Sequence, residues 1–216
     1  MQPVTAMRRL FADTAASLGP DAPTLCAPWT VRDLLAHEIL RQSRPDALPG
    51  IGLPVDALRR RTATVQASIA DDDFARLVDR VRQGPPPWWP TRVPALDNLV
   101  NLAELAVHQE DMLRARPGWS PGPSTHDEAT MEELWTAFRR AAPLAYRSAP
   151  VGVVAVAPGH GRVAVRRPRA TSGTVVLRGT PLELLLHAFG RDRVAQVRVE
   201  GSEADVAALA GHSREF

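Results

Sequence analysis

Apolar positions recur at helical spacing over roughly the first two thirds of the chain, then give way to short valine-rich runs. Met7, Leu10, Phe11, Ala15 and Leu18 form one stripe, which Gly19-Pro20 ends. A second helix is expected from Thr30 to about Gln42, because Thr30-Val31-Arg32-Asp33 reads as a capping box ahead of Leu34, Leu35, His37 and Ile39. Arg44-Pro45-Asp46 and Pro49-Gly50 make a loop. A third helical region spans about Val55 to Gln83, with a break near Asp71-Asp72-Asp73, and turns Phe74, Leu77, Val78 and Val81 to one side. The proline-rich run from Gly84 to Pro90 cannot be helical and must be an extended connection. Two more helices follow, about Ala95 to Ala115 and Thr130 to Tyr146, with Leu134, Trp135 and Phe138 inward and Pro143 placed to kink or shorten the second.

The period changes beyond Pro150. Val151 to Ala157, Arg162 to Arg167 and Thr174 to Arg178 read as strands, with a hairpin turn at Gly159-His160-Gly161. A helix from Thr180 to Phe189, a strand from Val194 to Val199 and a last helix capped by Ser202 complete the pattern. The expected layout is α plus α+β, a helical domain over residues 1–147 and a small α+β domain over 148–216.

Composition narrows the function. All 26 basic residues are arginine, yet they are interspersed with acids and the net charge is only +2, so no basic stripe for nucleic acid stands out. No apolar run approaches the roughly 20 residues that span a bilayer, and the N-terminus lacks the apolar centre of a signal peptide. The single cysteine, Cys26, excludes an intrachain disulfide. These features lead to the expectation of a cytoplasmic protein without membrane or nucleic-acid partners, a monomer or homodimer.

The candidate chemistry lies on two helices. Glu104 and His108 are four apart and stack on one helical face, so both can reach one ion. His37, mid-helix among Leu34, Leu35 and Ile39, supplies a third donor. Two imidazoles and one carboxylate form an open set of the catalytic kind, which suits zinc, iron or nickel. An E-x-x-x-H pair alone is a weak signal, because a Glu and His at this spacing usually form a surface interaction. Asp111, one turn beyond His108, either orients its imidazole or pairs with Arg114 or Arg116 on the solvent side. Cys26 reads as a small buried hydrophobe rather than a nucleophile. Trp29 and Trp135 read as core, and Trp88-Trp89 as packing over the bundle. His126, His160, His187 and His212 have no ligand spacing with one another.

The segment from Leu25 to His37, with its W-T-x-x-D-L-x-x-H pattern, resembles the DinB-like metalloenzymes, and more closely their actinobacterial branch that includes mycothiol-dependent maleylpyruvate isomerase. The stretch from Gly179 to Arg191 resembles a helix of that branch's C-terminal domain. The resemblance implies a DinB-like four-helix bundle followed by a small sterol-carrier-like α+β domain. It also implies a divalent metal, most often Zn2+, on His37, Glu104 and His108, with mycothiol or a similar small thiol as cosubstrate. The implied activity is isomerisation or S-transfer on a small electrophile, with Arg44 and Arg191 as the candidates to bind its carboxylates. Two alternatives stay open: a zinc hydrolase that activates water, and a non-enzymatic protein that binds metal or a small ligand.

Overall fold

A computed structural model describes residues 2–122, 124–169 and 172–212. Among them are nine α-helices and one four-stranded sheet, a mixed α/β composition. The chain divides into two compact units, 1–120 and 121–216. None of the described helices is long and apolar enough to cross a membrane.

The first unit is helical: α1 (Pro3–Leu18), α2 (Val31–Ser43), a short α3 (Pro49–Gly52), α4 (Asp56–Ala70), α5 (Phe74–Gln83) and α6 (Pro94–Arg114). Helix α1 ends where Gly19 takes φ 85°, a conformation that costs other residues a steric clash. Helix α2 starts on the expected capping pair, with Thr30 N and Oγ1 each donating to Asp33 Oδ2 at 2.9 Å. Asp73 accepts from Arg76 N at 3.1 Å and so caps α5, separating it from α4 at the expected break. Arg32 Nη1 reinforces that junction by donating to Ala70 O and Asp72 O, both at 2.8 Å.

Helix α2 packs against α1, α4, α5 and α6, and this surrounded position decides what it buries. Leu34, Leu35, Ala36, Ile39 and Leu40 are buried, and so are His37, Glu38 and Gln42. With no wide solvent face, consecutive residues are forced inside whatever their polarity. Phe11, Leu77, Leu102, Leu105 and Met112 complete this core, each burial contributing roughly 1.5–3 kcal/mol. In α1 the stripe differs from the sequence pattern: Leu10 is exposed, while Arg8 is buried beside Asp97. The region after Arg44 is not all loop, since it holds α3. Trp88 is exposed rather than packed, its ring edge-on to Trp89.

The second unit contains α7 (Glu128–Ala145), β1 (Gly152–Ala157), β2 (Gly161–Arg166), β3 (Thr174–Arg178), α8 (Pro181–Ala188), β4 (Arg198–Glu200) and α9 (Glu203–Ala210). Strand order is β2-β1-β3-β4, with β1 antiparallel to β2 and parallel to β3, and β3 antiparallel to β4. Paired on both edges, β1 reads as an almost unbroken apolar run. Helix α7, assigned from sequence to the helical domain, packs on α8 and β2, which places the division between units before it. It continues past Pro143 to Ala145 because Pro143 lies on the exposed side, where water can satisfy the carbonyl left without a donor. The expected strand from Val194 is shorter. The N–H groups of Val194 and Ala195 turn back to Arg191 O, so only 198–200 join the sheet.

Candidate metal centre

Helices α2 and α6 carry the polar cluster of the first unit. Glu104 and His108, one turn apart on α6, bring Oε2 within 3.4 Å of Nε2. His37 on α2 meets His108 edge-on, with ring centroids 5.3 Å apart and planes at 80°. The donor atoms of His37, Glu38, Glu104 and His108 all lie within 4.8 Å of one another. The three residues singled out in the sequence are therefore brought together, and Glu38 joins them.

The residues behind these donors fix their orientation. Asp111 is fully buried and its Oδ2 lies 2.9 Å from His108 Nδ1, which turns Nε2 toward Glu104. Arg41, one turn after His37, lies 3.6 Å from Glu38 Oε1 and 3.5 Å from Glu104 Oε1. Gln42 Nε2 donates to Glu38 Oε2 at 2.9 Å, while Gln42 Oε1 accepts from Arg8 Nη2 at 3.0 Å. Arg8 in turn holds Asp97 through two bonds of 3.0 and 2.9 Å, and Asn101 donates to the same carboxylate at 2.7 Å. A buried polar chain thus runs from α1 and α6 to the donor cluster on α2.

Electrostatics separate the two imidazoles. Burial pushes His37 down to about 4, opposed by Glu38 and reinforced by His108 and Arg41, so at neutral pH the ring is uncharged and can donate a lone pair. Burial alone would lower His108 as well, but its contacts with Asp111, Cys26 and Glu104 outweigh that and raise it well above the usual range. Burial would raise Glu104, yet Arg41 and His108 overcome it and hold the carboxyl well below the usual carboxylate range. The result is a neutral imidazole, an ionised carboxylate and a protonated Nε2 facing that carboxylate.

These residues fit a divalent cation on chemical grounds. A cation held by Glu104 and His108 would replace the imidazole proton in a place where neighbouring carboxylates already favour positive charge. Glu38 Oε1, fully buried, has no hydrogen-bond partner. Two largely buried groups, His37 with Glu38, Glu104 and His108, and Cys26 with His108 and Asp111, could hold a metal ion. A cleft of about 410 Å³ reaches His37 between α2 and α4, lined by Trp29, Asp33, Ile51, Arg59 and Thr62. Trp29 is half-buried rather than core, its ring centroid 5.0 Å from that of His37.

The two arginines chosen for substrate binding are placed differently. Arg44 forms a two-bond pair with Asp46, both at 2.8 Å on the surface, and Arg61 shares that carboxylate. Arg191 belongs to the second unit, where Nη1 donates to Phe189 O at 2.6 Å. Asp111 lies inward, and Arg114 pairs with Glu110. Glu38 and Arg41 went unrecognised in the sequence. Their inward placement is set by the helices packed around α2, not by a pattern in α2's own residues. Compared with protein-family models, curated proteins and solved structures, the chain matches none.

Proposed function

We propose that this chain is a metal-dependent enzyme that uses a low-molecular-weight thiol, such as mycothiol, to isomerise a small electrophile or to transfer the thiol sulfur to it. The observation that carries the reading is the convergence of His37, Glu104 and His108 from two helices beside an open cleft. Its bundle is read as DinB-like and its second unit as sterol-carrier-like, on the resemblance of the segments 25–37 and 179–191.

A divalent ion such as Zn2+, when bound, supplies positive charge that favours thiolate over thiol, and thiolate is the nucleophile. His37 and His108, the latter after giving up its Nε2 proton, would offer the ion neutral nitrogens and Glu104 an anionic oxygen. Asp111 keeps the His108 ring turned and retains the Nδ1 proton. Arg41 keeps Glu104 ionised and in place. Trp29 forms an apolar wall beside His37, excluding water from that side of the cleft. Arg59, which lines the same cleft, is the cation placed to meet an acidic substrate, whereas Arg44 is engaged by Asp46. In isomerisation, thiolate sulfur adds to a conjugated double bond, the resulting single bond rotates, and elimination of the same thiolate restores the double bond in the other geometry.

Elemental analysis of purified protein beside its His108→Ala variant tests the metal. About one equivalent in the wild type, lost in the variant, is the expected result. Turnover of conjugated cis-dicarboxylates is then expected only with added thiol. Metal absent from both proteins after reconstitution overturns the proposal, and turnover without thiol moves the assignment to hydrolysis.

A further inference from the structure

His108 presents its second nitrogen to a different set of donors. Cys26 Sγ lies 3.8 Å from Nδ1 and 3.1 Å from Asp111 Oδ2, and Nδ1 lies 2.9 Å from that same oxygen. Bond lengths of zinc-like ions to sulfur, nitrogen and oxygen require tetrahedral donor separations of about 3.3–3.6 Å. The three separations bracket that range, so an ion could be seated by shifts of a few tenths of an ångström. Asp111 and His108 are buried and Cys26 is half-buried, which leaves solvent access through the cysteine. The loop is also held in place: Leu25 N donates to Asp111 O at 3.1 Å and Cys26 N to Thr24 Oγ1 at 3.2 Å.

The arrangement does not suit Cys26 as a hydrolytic nucleophile. In a Cys-His-Asp relay the carboxylate binds the nitrogen remote from the sulfur, whereas here sulfur and carboxylate share Nδ1. Convergence of S, N and O donors on one point is instead a ligand set, and thiolate makes it selective for soft ions over magnesium or calcium.

We propose that Cys26 Sγ, His108 Nδ1 and Asp111 Oδ2 form a second cation site, for a thiophilic divalent ion of the zinc and cadmium type. Binding releases the Cys26 thiol proton and the His108 Nδ1 proton to solvent, and Asp111 exchanges its hydrogen bonds for a bond to the ion. The site does not require occupancy of the centre formed by His37 and Glu104. The two share one ring, so a soft ion at Cys26 removes the hydrogen bond that orients His108 and antagonises the other centre.

Cadmium is the probe. Metal-free full-length protein titrated with Cd2+ is expected to develop the ultraviolet thiolate-to-cadmium charge-transfer band. Cys26→Ser is expected to lose the band, while its hydroxyl still donates to Asp111 and its thermal unfolding without metal is unchanged. His37→Ala and Glu104→Gln, which disable the first centre, are expected to keep the band with one equivalent of cadmium bound. No band in the wild type overturns the site. A band abolished by His37→Ala or Glu104→Gln also overturns it, since the thiolate would then belong to the first centre. Failure of the first centre reads out separately, as metal content insensitive to His37→Ala.

Discussion

Asp97→Asn tests whether the buried chain behind the donors holds the first unit together. The carboxylate accepts two bonds from Arg8 and one from Asn101, and the Arg8 and Asp97 side chains are 5% and 10% exposed. An asparagine keeps the shape but offers one acceptor where two oxygens accepted, and its amide hydrogens face a donor. The Arg8 charge is left buried without its counter-ion. Breaking such a pair from one side costs about 3–5 kcal/mol, a large share of the roughly 5–15 kcal/mol that holds a domain folded. Urea unfolding in a Trp135→Phe background is the assay, because Trp29, Trp88, Trp89 and Trp119 then report the first unit alone. Arg8→Met/Asp97→Leu is the control, expected to recover most of the loss because both charges leave together. A loss below about 1 kcal/mol would put the pair in the class of exposed ion pairs and refute the reasoning.

Three further outcomes follow from the same geometry. His37 sits near 4 in the folded chain against 6.5 unfolded, so the unfolded state binds more protons between these values. Stability of metal-free protein due to this ring is therefore complete above about pH 6.5 and falls by roughly 3 kcal/mol as pH drops toward 4. The difference between wild type and His37→Phe across that window isolates it, and a flat difference contradicts the burial argument. Asp111→Asn, made on Cys26→Ser to remove the second site, is expected to weaken zinc binding about 10- to 100-fold by calorimetry, because the ring loses its anionic partner; unchanged affinity would deny Asp111 that orienting role. Arg44→Ala is expected to leave metal content and melting temperature unchanged, since it pairs with Asp46 on the surface; lost metal would show that the residue reaches the site.

That Glu104 and His108 would share a face was legible from i,i+4 stacking on α6, a local rule, whereas the joining of His37 to them rested on its apolar setting and on the resemblance of residues 25–37. The capping pair at Thr30, the α4–α5 break and the β1–β2 hairpin were likewise legible from local rules. Glu38 and Arg41 were not, because their burial depends on four other helices closing around α2. No window of sequence displays that. Arg8 was hidden likewise: its partner is 89 residues away, and the stripe favoured Leu10. Helix α7 has the same period as the bundle helices, so periodicity could not say that it packs on α8 and β2. Arg44 is the opposite case, since its pairing with Asp46, two residues away, was within reach of the sequence.

The surrounded position of α2 also sets how this protein would respond to selection for heat resistance. His37, Glu38, Arg41 and Gln42 occupy volume that leucines and methionines would fill without desolvating charge. Replacing a buried ionic cluster with apolar side chains of similar size is often neutral or stabilising by about 1–4 kcal/mol. Variants recovered for thermostability alone should therefore accumulate apolar substitutions on α2, losing the candidate donor groups before the fold weakens. A homologue with leucine at these positions would be a sturdier protein with the same helices and without the donor cluster.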